Sequence, residues 1–596
     1  MALSLVNNLL TGIVSLQSNL TQVATNGASV LGTELASQLP PFLTNNPLPN
    51  GFPWDTRTAN NCDPYTDPPN TGVIRTYDFQ IHRMTIAPDG VEKQALVVNG
   101  AFPGPLIEAN WGDTIQVTIH NEIDNPPEGT SIHWHGLLQK ATPWYDGVPS
   151  VQQCPIAPGQ SFTYSFIADL YGTSWWHSHY SAQYAGGLHG PMVIHGPQNV
   201  PYDIDLGPIF LTDYYHTEYF KLVEAISGTD PEAATLAVYS DNNLINGKMD
   251  FNCSVITDGT PCVDGAGLAT FNFTSGKTHR LRLINAGAEG MQFFSIDDHI
   301  LTVIANDFVP IQPYDTTLVT LGVGQRTDVL VKAIGRPTDT YWMRSNLTTV
   351  CSLTNGSDAL AVIYYEDADP TTRPTSAAQP IPHPLTCEND PLEITVPFYP
   401  ITPTPDPDFT QVINITGEVN ATGHFNFLMN NQTFRGNYDY PLLLLESEGN
   451  VSYPMDPQWN VFDFGENQTI RIILNNQFQA PHPFHLHGQN MFVLDAGFGE
   501  WDGTITNPHN PQRRDVQMVP ARGYMVVQLV SDNPGVWPFH CHIAWHVSQG
   551  LYSNIMQRPQ EVRQMQIPQV MAQTCDDWHE YSSNNVVDEI DSGLKT

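Results

Sequence analysis

At 596 residues the chain is too long for one ordinary domain, and its length suggests roughly three to five. With 41% apolar and 14% charged residues it has a folded composition, which excludes a disordered chain. The 23 basic and 60 acidic residues leave a net charge of −37, which excludes nucleic acid and anionic lipid as partners, and no apolar run is long enough to span a membrane.

In chain order, residues 1–71 read as an N-terminal extension. The stretch from Met1 to Leu16 is moderately apolar, yet no basic residue precedes Arg57. It lacks the basic head of a signal peptide and reads as a mature or pro-like segment from which any signal has been removed. From 72 to 200, β-rich runs such as Gln116-Val117-Thr118-Ile119 and Phe162-Thr163-Tyr164-Ser165-Phe166 are separated by turn signals at Pro103-Gly104, Asp146-Gly147 and Pro158-Gly159. A second such block covers 201–369, with Leu281-Arg282-Leu283-Ile284 and Thr327-Asp328-Val329-Leu330-Val331 as strands. Residues 370–408 are dense in proline and read as a linker, 409–575 as a third β block, and 576–596 as a polar, acidic tail. Helices are few, with a short one expected between Cys541 and Gly550. The expected fold class is all-β: three consecutive Greek-key barrel or sandwich domains. The chemistry is expected between the first and third, where the metal motifs lie.

Four His-x-His pairs carry that chemistry: His133-Trp134-His135, His177-Ser178-His179, His485-Leu486-His487 and His540-Cys541-His542. With 21 histidines in the chain, chance supplies fewer than about one such pair. On a strand, residues i and i+2 share a face, so each pair aims two imidazoles at one place. Eight imidazoles suffice for a cluster of metals, and neutral imidazole suits copper, zinc, iron or nickel. Cys541 selects copper. Strand alternation turns it away from His540 and His542, toward His482 and His546, and two histidines with one thiolate are the trigonal set of a blue-copper site. The covalent path from Cys541 to its two neighbours is short.

Four segments carry a family resemblance: His133-Trp134-His135-Gly136, Trp175-Trp176-His177-Ser178-His179, His482-Pro483-Phe484-His485-Leu486-His487-Gly488 and His540-Cys541-His542-Ile543-Ala544-Trp545-His546. They resemble the four copper signatures of the multicopper oxidases. Ile543-Ala544-Trp545, with Gly172-Thr173-Ser174, Ser181-Ala182-Gln183-Tyr184 and Pro511-Gln512-Arg513-Arg514-Asp515, resembles the ascomycete laccases. The resemblance covers about residues 72 to 594 and implies cupredoxin-like domains. It implies four copper ions: a type 1 ion on His482, Cys541 and His546, a type 2 ion on His133 and His485, and two type 3 ions. One type 3 ion would take His135, His177 and His542, the other His179, His487 and His540. Leu551 falls at the weak axial position and cannot donate, which raises the potential. Asp146 matches the carboxylate near the type 2 ion, and Glu289 the acid that takes the phenol proton. His546 and Glu289 would meet the substrate. Trp176 stands where relatives often carry Tyr, so a tyrosine role is not transferred. His189, His195, His216, His279 and His299 read as structural.

The implied activity is one-electron oxidation of small phenolic substrates, lignin fragments among them, coupled to reduction of O2 to water. Of eight cysteines, seven remain after Cys541, so one is free or bonded elsewhere. The resemblance supports Cys154 with Cys575 and Cys351 with Cys387. Cys253 with Cys262 would close a short loop, leaving Cys62. Ten Asn-x-Ser/Thr sites (Asn19, Asn252, Asn272, Asn346, Asn355, Asn414, Asn420, Asn431, Asn450, Asn467) favour a secreted glycoprotein. A monomer is expected, with a dimer as the alternative. The end Asp591-Ser592-Gly593-Leu594-Lys595-Thr596 resembles a tail that enters the channel to the copper cluster in ascomycete laccases, with two residues added. The competing readings are a metallo-oxidase acting on Fe(II), a bilirubin-oxidase-like enzyme, and a copper electron-transfer protein without turnover. No acidic trio accompanies Glu289, which argues against the first. Electron transfer alone needs only the blue site, which argues against the last.

Overall fold

Along Thr114–Asn121 and Thr469–Asn476 every second residue is buried, the pattern of a strand with one face on a core. The computed structural model describes residues 54, 56–380, 386–449 and 457–584. Each of its three β units pairs two sheets.

In the first unit, one sheet has the order Lys93–Val98, Ile74–Ile86, Thr114–Asn121, Ser161–Ile167. The other runs Ile107–Asn110, His189–His195, Gly172–Ser178, Ile132–Trp134. Six- and five-stranded sheets build the second unit, where Ile204–Tyr214 is buried along its whole length. The third unit repeats the six-plus-five arrangement, and its five-stranded sheet has Gly535–Cys541 beside His482–Leu486. The four runs read as strands from the sequence all lie within strands: Thr114–Asn121, Ser161–Ile167, Thr278–Asn285 and Arg326–Lys332. The expected short helix is Ala544–Ser548.

Cys575, the expected end of the third block, lies inside the helix Gln569–Asn584. Met571, Thr574, Cys575 and Trp578 form its buried stripe, at helical spacing. A disulfide from Cys154 to Cys575 ties this helix to the first unit, and Trp578 packs near Tyr180 and Tyr438. Two helices, Tyr219–Ile226 and Pro231–Ala237, interrupt the second block. Asp230 caps the latter by accepting from the Glu232 and Ala233 amides. Within the proline-rich segment Asn389 holds Gln325 at 2.9 Å and accepts from the Met518 amide at 3.1 Å, joining the second and third units. Disulfides also join Cys253 to Cys262 and Cys351 to Cys387, and Cys62 is free and buried. The N-terminal segment up to residue 53, Asn19, Asn450 and the end from Asp591 to Thr596 lie outside the described residues.

Candidate metal centre and adjoining pocket

Strand register brings the histidine motifs together. His133 lies opposite His177 in the first unit, and His485 opposite His540 in the third. Opposed residues of an antiparallel pair share a face. The two units meet so that eight imidazoles gather, with neighbouring ring centroids from 4.0 Å (His133–His487) to 5.9 Å (His177–His179).

The outer nitrogens fix the ring states of six of them. His133 Nδ1 donates to the Asp146 carbonyl, His485 Nδ1 to the Asp515 carbonyl, His177 Nδ1 to the Ser178 carbonyl and His540 Nδ1 to the Cys541 carbonyl. His487 Nδ1 reaches an Asp146 carboxylate oxygen and His135 Nε2 an Asp515 carboxylate oxygen, at 2.8 and 3.0 Å. Carbonyls and carboxylates only accept, so the opposite nitrogen of each ring carries a lone pair facing inward. The consequence is electrostatically unfavourable without a cation. His487 Nε2 and His540 Nε2 stand 3.1 Å apart, His135 Nδ1 is 3.5 Å from His177 Nε2, and His133 Nε2 and His485 Nε2 are buried with no partner. Burial, with mutual repulsion, drives His135, His177, His179, His485, His487 and His542 well below the usual imidazole range, and burial takes His540 down to about 3. These seven rings are therefore neutral donors, as metal binding requires.

Cys541 faces the other way, opposite Phe484. Its sulfur is 3.4 Å from His546 Nδ1 and 3.7 Å from His482 Nδ1, and those nitrogens are 3.1 Å apart. Burial pushes the Cys541 thiol far up, so a thiolate forms here only beside a compensating cation. Phe427 lies against both histidines. Leu551 is buried in the same core, its carbonyl accepts from the Cys541 amide at 3.1 Å, and its side chain offers no donor.

Charged groups back the cluster. Asp146 sits fully buried at the end of the short turn Pro143–Tyr145. Asp515 receives Arg326 at both oxygens, at 2.5 and 2.6 Å, and Arg514 pairs with Asp307 beside it. Arg326 comes from the second unit, which supplies none of the His-x-His pairs. Two glycines permit this closeness. At Gly136 (φ +80°) a Cβ would fall 2.6 Å from both Arg326 and Asp515, and at Gly324 (φ +85°) 2.8 Å from the His542 ring.

Beside His546 a cavity of about 570 Å³ opens to solvent, lined by Glu289, Trp545, Leu353, Val419 and Phe425 among others. Glu289 is half-buried and accepts from the Leu353 amide at 3.0 Å. Burial, with Asp213 nearby, pushes its carboxyl from about 4.5 up to about 8. Asp213, at the end of Ile204–Tyr214, accepts from the amides of Ala288 (2.6 Å), Glu289 (2.8 Å) and Gly290 (2.6 Å) and so shapes the loop that carries Glu289. That loop is tied to the other side of the pocket by the Ala544 amide, which donates to the Ala288 carbonyl at 2.9 Å.

The five histidines read as structural lie apart from the cluster, each with a partner of its own. His195 pairs with Glu108, His216 with Asp89 and His299 with Tyr365, while His189 bonds the Tyr184 carbonyl and His279 stacks on Phe273. Sequence reasoning missed Arg326, Asp307 and Asp213. Asp515 stands in the segment Pro511-Gln512-Arg513-Arg514-Asp515, whose resemblance implies no role for it.

Profiles described as multicopper oxidase match residues 80–199, 205–368 and 414–561. Oxidoreductase OpS5 of Beauveria bassiana is 40% identical over 90% of this chain and 90% of its own length. Laccase-2 of Botryotinia fuckeliana is 37% identical over 89% and 90%. The crystal structure of the laccase from Botrytis aclada superposes with a TM-score of 0.82 at 34% identity, covering 90% of this chain and all of that one.

Proposed function

The chain belongs to the multicopper oxidase family and is a laccase, which couples one-electron oxidation of phenolic substrates to reduction of O2 to water, and we propose the residues that do this. His482, Cys541 and His546 would hold the type 1 copper, and His133 and His485 the type 2. His135, His177 and His542 would hold one type 3 ion, and His179, His487 and His540 the other. The observation that carries this assignment is the set of inward lone pairs: six rings pinned from outside by acceptors, with bare nitrogens facing one another or nothing. Bound copper supplies the one-electron acceptor at Cys541 and the four-electron reduction of O2 at the cluster.

The chain's own residues do the rest. The pocket places a phenol between Glu289 and the edge of His546, and Glu289 takes its proton. Cys541 joins the two centres through a single peptide bond on either side, and its burial excludes water from that link. Asp146 orients His487 and holds a proton-accepting oxygen at the cluster wall. Leu551, buried in the same core as Cys541, offers no donor atom from its side chain, which would favour a high potential for a copper held there.

The protein is further read as a secreted, glycosylated monomer. Three disulfides support an oxidising compartment, and none of the eight described Asn-x-Ser/Thr asparagines is buried. Among the described residues no helix is long and apolar enough to cross a membrane.

The test is O2 uptake by copper-loaded protein offered a methoxyphenol and, separately, Fe(II). Fast uptake with the phenol, little with Fe(II) and no peroxide is expected. Faster uptake with Fe(II) would make it a metallo-oxidase.

A further inference from the structure

The pocket beside His546 is large, apolar and devoid of cationic side chains. Its volume of about 570 Å³ lies within the range that encloses drug-sized ligands, about 300–1,000 Å³. A single phenol ring leaves most of that space filled with water. Besides Glu289 and the helix Ala544–Ser548 that carries His546, the walls come from three places: the helices Tyr219–Ile226 and Pro231–Ala237, the hairpin of Phe409–Val419 with Phe425–Met429, and the loop at Leu353. They present Ile226, Val238, Leu353, Val419 and Phe425, and two of these reach the surface, Val419 at 66% and Leu353 at 36% exposure. Ordinary monomer surfaces expose large apolar side chains singly, and their gathering at the mouth of a cavity marks a binding site.

The inventory of titratable groups is short. Glu289 is the one acid of the lining, His546 the one imidazole, and no Lys or Arg lines it. An anionic substituent entering here finds no counter-charge, meets the Glu289 carboxyl, and comes from a medium in which a chain of net charge −37 already repels it. A neutral aromatic body meets a lining that is mostly apolar surface, which gains from being covered, with Thr229, Thr235 and Gln549 as its neutral polar members.

We propose that the preferred substrates are neutral phenols whose apolar body extends beyond one ring, with the hydroxyl at Glu289 and His546 and the second ring against Phe425, Val419 and Leu353. This rests on the phenol-oxidising reading of the same pocket. Each turnover step is ArOH → ArO• + H⁺ + e⁻. The proton goes to Glu289 and the electron to the Cys541 centre. Four electrons with four protons convert one O2 to two waters, so no other co-reactant is needed.

The experiment compares kcat/KM by O2 uptake for three neutral or charged probes on the copper-loaded protein: a hydroxycinnamic acid ionised at the assay pH, its methyl ester, and a biphenyl diol. Ester and acid share one ring and one reacting hydroxyl, so their ratio isolates the charge. The ester is expected to exceed the acid by about tenfold, chiefly in KM, and the biphenyl diol to exceed the ester by about tenfold again. Val419→Arg, placed at the exposed rim, is expected to bring the acid to within about twofold of the ester. Equal values for acid and ester, or a biphenyl diol poorer than the ester, would overturn the proposal while leaving the laccase reading intact. Oxidation of none of the three would overturn both.

Discussion

The two donor groups share the His540–Cys541–His542 tripeptide and are enclosed in opposite ways. The eight-imidazole cluster is walled by charge: Asp146 and Asp515 hold its rings, and Arg326, Arg514 and Asp307 hold Asp515. The Cys541 group is walled by Phe427, Phe478 and Leu551. Half-buried Glu289 is the only carboxylate among the residues that line its adjoining pocket. Charged partners keep many lone pairs pointed at one volume, and they supply groups that handle protons. Apolar partners keep a thiolate dry and expose one imidazole edge to an apolar substrate. Where the protons of O2 reduction must be delivered the wall is ionic, and where an electron passes, with Glu289 as the single acid for the phenol's proton, it is hydrophobic.

Removing Arg326 strikes the charged wall hardest. Arg326→Met leaves Asp515 and Asp307 buried with one fewer cation between them, and breaking a buried pair costs about 3–5 kcal/mol. Thermal unfolding is expected to shift down accordingly, and metal analysis to show cluster copper lost before copper at Cys541. Retention of all copper with unchanged unfolding would show that the cluster holds its geometry without the second unit. Asp146→Asn keeps the shape but removes a charge next to His133 and His487, and kcat is expected to fall about 10²–10³-fold, in the range of lost acid–base groups. A KM that stays within about twofold would place the loss in O2 reduction and not in phenol binding.

Glu289→Gln tests the apolar wall, with kcat/KM for phenols expected to fall about 10–100-fold. The sign of its pH dependence follows from the raised pKa. In the unfolded chain the carboxyl loses its proton near 4.5, whereas the folded chain holds it up to about 8. As pH rises through that window the unfolded state releases a proton that the folded state keeps, so stability falls. Thermal unfolding of the variant should therefore match the parent near pH 4 and lie above it near pH 8. In the rate profile the ionised form is the base, so phenol oxidation gains a rising limb between those values, and copper at His546 draws it toward the lower one. The variant should lack the limb.

Much of this arrangement was legible in the sequence, because it is written in short-range spacing. Period-2 alternation marked strands such as Thr114–Asn121, and the His-x-His spacing of His540 and His542, with Cys541 between them, separated the faces of that strand. What escaped was long-range. Arg326 meets Asp515 across 189 residues, and nothing local to Arg326-Thr327-Asp328 distinguishes a buried cluster partner from a surface arginine. The helix Gln569–Asn584 is a different case. Its stripe of Met571, Thr574, Cys575 and Trp578 has helical spacing but is set in so polar a stretch that the boundary between β block and tail, at Cys575, falls in the middle of the helix.

The smallest expected effect concerns Asp213, which shapes the loop of Glu289. Both carboxylate oxygens are used: one accepts from Ala288, the other from Glu289 and Gly290. Asp213→Asn keeps one acceptor and turns an amide N–H₂ toward at least one backbone N–H, leaving a donor unmatched. Part of that cost, about 1 kcal/mol, should appear as lost positioning of Glu289. The expected result is a roughly fivefold fall in kcat/KM for phenols, carried mainly by KM, with the rising pH limb displaced to lower pH because a carboxylate that raises the Glu289 pKa is gone. Asp213→Glu, which restores charge at altered reach, should recover the position of the limb better than it recovers KM. If both variants lower kcat with KM and the limb unmoved, Asp213 supports the fold alone, and the apolar wall positions its one acid without help from a second.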